Sequence, residues 1–208
     1  VQKLLISSIP ARLAYGMISL GIFFKVQNTT SSIAIAGLSV GLNGLASSLS
    51  VGIRSMFIDK YGLNWPLRLL VPAYASLIVL FNYSNGKSSL IFIAFVLGAV
   101  APPINIAVRP LWKIVVPEQK QRAIFAVDTA VMSTTVVIGP VLVTSLALSD
   151  SPRSALNVCA AAMLIGGIAL ALLKVTRTWI PESKEQGAEH LLKIPAIRLL
   201  IAEGIFIG

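Results

Sequence analysis

Six runs of mostly apolar residues constrain this chain more than anything else in it, because each approaches or exceeds the twenty or so residues that an α-helix needs to cross a bilayer's hydrocarbon core. They extend roughly from Leu4 to Val26, Ser32 to Phe57, Leu67 to Tyr83, Ser89 to Val115, Arg122 to Leu148 and Ala155 to Lys174. With 56% of its residues hydrophobic and 12% charged, the chain lies far outside the usual globular balance. The expected fold class is all-α and transmembrane.

The net charge of +9 raises the question of nucleic acid, and the placement of the cations answers it. On this topology all of the 17 Lys and Arg residues except Lys25, Lys87 and Arg153 fall toward one side. That is the bias that orients a membrane protein, with the basic side cytoplasmic, and not a nucleic-acid face. Linkers around Asn28-Thr29-Thr30, Ser84-Asn85-Gly86 and Ser149-Asp150-Ser151-Pro152 then face outward, and the N-terminus faces the cytoplasm of a cell whose plasma or inner membrane the chain crosses repeatedly. Trp65, Trp112 and Trp179 all fall at the cytoplasmic edge, where amphipathic rings anchor helices among headgroups.

Several features carry no function. Cys159 is alone in an apolar run and reads as a small hydrophobe, and His190 has no Cys or second His near it, so no metal site is expected. Asn28-Thr29-Thr30 and Asn82-Tyr83-Ser84 fit glycosylation triplets that arise often by chance. Gly37-Leu38-Ser39-Val40-Gly41 fits the hydrolase elbow pattern but lacks the strand-to-helix turn and the His that this chemistry requires. The basic start could be mistaken for a leader peptide, but Arg12 interrupts the run and no small-residue cleavage site follows, so it reads as the first spanning helix.

The stretch from Ser55 to Arg68 is the most informative. Asp59, Lys60, Gly62 and Arg68 lie between two spanning runs, as a tight turn at a membrane surface requires, and Gly62 suits a turn with positive φ or a close backbone approach. The stretch resembles the loop between helices 2 and 3 of the major facilitator superfamily, Gly-x-x-x-Asp-Arg/Lys-x-Gly-x-Arg/Lys-Arg/Lys. Asp59, Lys60 and Gly62 match in register, Ser55 replaces the first Gly, and the closing cations are reduced to a displaced Arg68. The resemblance implies a loop that locks the cytoplasmic ends of two helix bundles together. It also implies a twelve-helix plan of nested three-plus-three repeats, although the letters of the first three and last three runs show no similarity.

On that plan residues 1-176 form the N-terminal six-helix bundle, 177-193 a cytoplasmic linker, and 194-208 the start of a seventh helix that carries Glu203. Val1 is not Met and the last residues are apolar, so the expectation is a fragment whose partner is the C-terminal half of the same chain. Helix-spaced polar residues mark candidate faces: Arg12, Tyr15 and Ser19 on the first run, Asn43, Ser47, Ser50 and Arg54 on the second, and Asn105 and Arg109 on the fourth. An ionisable residue inside a span is costly and ordinarily faces a polar pathway. Arg12, Tyr15, Asn43, Asn105, Arg109, Asp128 and Glu203 are therefore the candidates for a cavity or for coupling. For the Ser and Asn groups the alternative is plain hydrogen bonding between packed helices, and for Arg12 it is snorkelling to the headgroups.

Arg109 and Asp128 lie at comparable depths on either side of the turn near Pro117, so a salt bridge between them is expected. Gly37, Gly41, Gly44 and Ser48 read as a close-packing stripe. Pro102-Pro103 should kink the fourth helix, and Gly139-Pro140, which is similar to part of the superfamily's antiporter signature, should bend the fifth. The resemblance implies a secondary transporter that moves a small solute by alternating access, without ATP or a prosthetic group, and the superfamily's habits favour proton-coupled efflux. The rivals are a membrane-embedded enzyme, for which no clustered carboxylates or nucleophile with a base are found, and a non-transporting membrane subunit or sensor.

Overall fold

The computed structural model describes residues 1-149 and 152-179, and Glu203, His190, the expected linker beyond residue 179 and the expected seventh helix lie outside them. Among the described residues eight helices form in order: α1 (Gln2–Thr30), α2 (Ile33–Tyr61), α3 (Asn64–Tyr83), α4 (Lys87–Val100), α5 (Ile104–Val115), α6 (Glu118–Ser149), α7 (Pro152–Leu172) and the short α8 (Lys174–Thr178). Six stretches of the described residues are long and apolar enough to cross a membrane, with α4 and α5 together making the fourth.

The turns are short and have local causes. Ser31 closes α1 in the left-handed region at φ 53°, and the Ser32 side chain then accepts the Ile35 N–H to cap α2, an ordinary way to satisfy a free helix-end donor. Between α2 and α3 only Gly62 and Leu63 are non-helical. Asp59 and Lys60 therefore sit in the last turn of α2 and Arg68 inside α3, where a longer charged loop was expected. Gly62 has φ 72°, and a Cβ there would stand 3.3 Å from the Trp179 carbonyl oxygen. Both reasons for a glycine apply at this one position.

The fourth span is broken rather than kinked. Pro102 and Pro103 have no N–H to continue the ladder, and Ala101, Pro102 and Pro103 leave the helix altogether. α6, in contrast, stays helical through Gly139 and Pro140.

α1 is the central helix, packed against α2, α6 and α7, while α7 also packs on α3, and α2 packs on α4. Exchanging the first three spans with the last three maps the α1–α6 contact onto the α2–α4 contact and the α3–α7 contact onto itself, as a three-plus-three repeat would, whereas the extensive α1–α7 contact maps onto the slighter α3–α4 one. The core includes Met17, Ile22, Tyr74, Phe81, Leu97, Leu111 and Trp112. Between membrane helices tight packing holds the bundle more than water exclusion does, and glycines set the closest approaches. A Cβ on Gly98 would lie 2.1 Å from the Asn43 carbonyl oxygen, one on Gly139 2.5 Å from the Gly16 carbonyl carbon, and one on Gly166 2.4 Å from the Ala11 nitrogen. The expected stripe on α2 does no such packing: Cβ atoms on Gly37, Gly41 and Gly44 would meet nothing within 4 Å. Periodicity located a small-residue face there, but no neighbouring helix of the described bundle covers it.

Candidate functional site

Ten residues into α6, roughly 15 Å from its start at 1.5 Å per residue, Asp128 is buried. Its carboxylate Oδ1 takes a salt bridge of 2.8 Å from Arg12 Nη1 and a hydrogen bond of 3.0 Å from the Trp112 indole Nε1. The same Arg12 nitrogen lies 3.4 Å from the Asp128 backbone carbonyl oxygen. The expected Arg109–Asp128 bridge is thus replaced by Arg12–Asp128. Equal depth holds for several cations on the α1 and α5 sides of α6, and α1 presents its guanidinium directly. Arg12 does not snorkel, since it is only 3% exposed. Trp112 is also not the expected headgroup anchor: it is fully buried, and its polar edge is directed to the carboxylate. Trp65, 69% exposed, fits the anchor role.

Two cavities flank this ion pair. One of ≈ 480 Å³ is lined by Arg109, Pro110, Lys113, Phe125, Asp128 and Thr129. The other, ≈ 240 Å³, is bordered by Arg12, Tyr15, Ser19, Asn105, Thr135 and Pro140 among others. Asp128 lines the first and its partner Arg12 the second, so the ion pair stands between them. Asn105, Arg109 and Lys113 recur every four residues and share one face of α5. Together the linings hold three cations and one carboxylate.

The break between α4 and α5 is held by the neighbouring helices. Arg54 of α2, buried, donates from Nη1 to the Ala101 carbonyl oxygen at 2.5 Å and from Nη2 to the Ser47 carbonyl oxygen. The Tyr15 hydroxyl of α1 donates to the Pro102 carbonyl oxygen. Carbonyls released by a helix break need such donors in a medium without water. Tyr15 therefore serves both the break and the smaller cavity.

Asn43 lines neither of these two cavities. Its Nδ2 donates to the Ala94 carbonyl oxygen at 2.9 Å, which makes it an α2–α4 fastener, and Ser50 bonds within its own helix. Plain interhelical and intrahelical bonding accounts for most of the α2 polar stripe. Gly139 acts by contact with Gly16, and Pro140 borders the smaller cavity. Asp59, Lys60 and Tyr61 line a separate surface cleft with Ile53, Met56 and Phe57, and the Lys60 ammonium lies 5.2 Å from the centre of the Tyr61 ring, within cation–π range. Sequence reasoning missed Trp112 as a carboxylate donor and Lys113 as part of the α5 track, although the four-residue spacing from Arg109 to Lys113 was legible. Among the described residues no cluster of His, Cys, Asp and Glu suited to a metal occurs.

None of the curated proteins compared with the chain matches it. A protein-family model described as Major Facilitator Superfamily matches residues 4–208. With six membrane-spanning stretches, the glycine-turned Asp59–Gly62 corner and a family match over nearly its whole length, the chain belongs to the major facilitator superfamily of membrane transporters.

Proposed function

We propose that the bundle is the N-terminal half of a secondary transporter that moves a small solute by alternating access, with the track along α1, α5 and α6 as its share of the pathway. The carrying observation is the buried Arg12–Asp128 pair with a cavity on either side. Charged groups inside a membrane are expensive and concentrate where a solute or ion passes. In this reading residues 1-176 work against a second bundle, the chain from 177 to 193 joins the two, and the corner around Asp59, Lys60, Gly62 and Arg68 holds their cytoplasmic ends in one state. The basic side faces the cytoplasm of the cell membrane, and the N-terminus with it.

A proton-coupled form of this mechanism draws on Asp128 as a buried carboxylate that borders a cavity, and on Glu203. Its direction is efflux, as the superfamily's habits imply. Flux of radiolabelled solutes into and out of proteoliposomes that contain the full chain, with and without an imposed proton gradient, tests all of this. Flux that requires the protein supports transport, and gradient-dependent flux supports coupling. Vesicles that move no solute in either direction return the chain to the sensor or subunit reading.

A further inference from the structure

The space around the ion pair is positive, and its deepest cation has spare donors. We propose that the solute bears a carboxylate or phosphate group, which binds the Arg12 guanidinium in place of Asp128. The inference rests on the transporter reading for its occupant.

Arg12 meets Asp128 through Nη1, while its Nε is buried and has no partner. A guanidinium offers five donors in a planar fork suited to two-point binding of carboxylate or phosphate, and one carboxylate oxygen does not fill it. Asn105 Oδ1, on the same cavity, is likewise buried without a partner. It is an acceptor for a hydroxyl or amine on the same molecule, so the site asks for a small acid that also carries a donor. The first turn of α5, which begins at Ile104, adds the positive end of a helix dipole beside Asn105. Lys113 and Arg109, both exposed, form a cationic approach on the face that leads to Asp128, and such approaches concentrate anions. When a solute takes Arg12, the displaced Asp128 carboxylate keeps the Trp112 indole as a donor and borders a cavity that Arg109 also lines. If the pair is only a permanent brace, no anion separates it.

Trp112 touches Asp128 and reports the exchange. In the full chain carrying Trp65→Phe and Trp179→Phe, purified in detergent, Trp112 emission is followed against sodium acetate and sodium phosphate, with sodium chloride at equal ionic strength as baseline and tetraphenylphosphonium as a cationic probe. The expected result is a saturable change with at least one of the two anions. Asp128→Asn removes the internal competitor and should reach half-saturation at about tenfold lower concentration, whereas Arg12→Lys keeps the charge, loses the fork and should need about tenfold more. A response to acetate alone assigns a carboxylate, and a response to phosphate alone assigns a phosphoryl group. The proposal is overturned if neither anion gives a saturable change in the wild type or in Asp128→Asn, if Asp128→Asn binds no more tightly, or if only tetraphenylphosphonium responds. A chain that binds these anions but transports nothing in vesicles keeps the anion site and loses the transporter reading, and flux without anion binding does the reverse.

Discussion

Replacing Arg12 by Gln removes the buried Arg12–Asp128 ion pair and leaves Asp128 buried with the Trp112 indole as its remaining partner. Breaking one side of a buried pair costs about 3 to 5 kcal/mol, because the survivor stays uncompensated. At about 2 to 4 °C per kcal/mol for a chain of this size, Tm in detergent should fall by about 10 °C. Asp128→Asn is milder. The amide oxygen still accepts from Arg12 and Trp112, the Arg12 contact to the 128 backbone carbonyl persists, and the cost should be about 1 to 3 kcal/mol. The double variant strands no charge and should recover about 2 kcal/mol of the summed single losses. Thermal unfolding of the four proteins completes the cycle, and Arg109→Gln in place of Arg12→Gln provides the control, with a coupling to Asp128 below about 0.5 kcal/mol. Additive losses for Arg12 and Asp128, or a larger coupling for Arg109, would refute the assignment of the pair.

Three further outcomes follow from the packing and the corner. Gly16→Ala and Gly139→Ala each force a methyl into backbone 2.5 Å away and should cost about 1 to 3 kcal/mol in thermal unfolding, whereas Gly41→Ala, with open space around it, should stay within about 0.5 kcal/mol of wild type; equal losses at all three would dismiss the contact argument. Arg54→Met leaves the Ala101 carbonyl without its donor and should lower stability by about 1 to 3 kcal/mol, a loss that Arg54→Lys should partly restore; an unchanged Tm for Arg54→Met would show that the break holds itself. Asp59→Asn should reduce proteoliposome flux roughly tenfold, within the range of a conformational coupling, with expression and Tm unchanged; wild-type flux would remove Asp59 from the gating scheme.

The spans were legible because hydrophobic length is a one-dimensional property, and so was Gly62, because a glycine among charged residues between two spanning runs marks the turn, although the turn proved only two residues long. Pro102-Pro103 announced a kink, since missing donors are a local fact, but not that the helix would break there. Azimuth was not legible. Counting residues from the turn near Pro117 put Arg109 and Asp128 at one level, but it gave no sign that Arg12, 116 positions earlier, would come between them. The same blindness misplaced the close contacts. Gly37, Gly41 and Gly44 are spaced as well as Gly16 and Gly139 are, and only the three-dimensional arrangement determines which face has a neighbour. Trp112 was assigned by depth to the headgroups, whereas the rotation of α5 directs it inward to a carboxylate.

The interruption at Ala101–Pro103 has a mechanical meaning. No backbone hydrogen bond links α4 to α5 across it: the Ala101 N–H returns to Gly98, and the Ile104 N–H reaches only Pro102. The fourth span is therefore two rods on a hinge, and swinging one against the other breaks no rung of either ladder. Two side chains from two different helices, the Arg54 guanidinium and the Tyr15 hydroxyl, pin the break itself, and beyond it the buried Leu111 and the Trp112–Asp128 bond hold α5. A rotation of α5 about the break would therefore carry Asn105, Arg109 and Lys113 together, and Lys113, farthest from the break, would move the most.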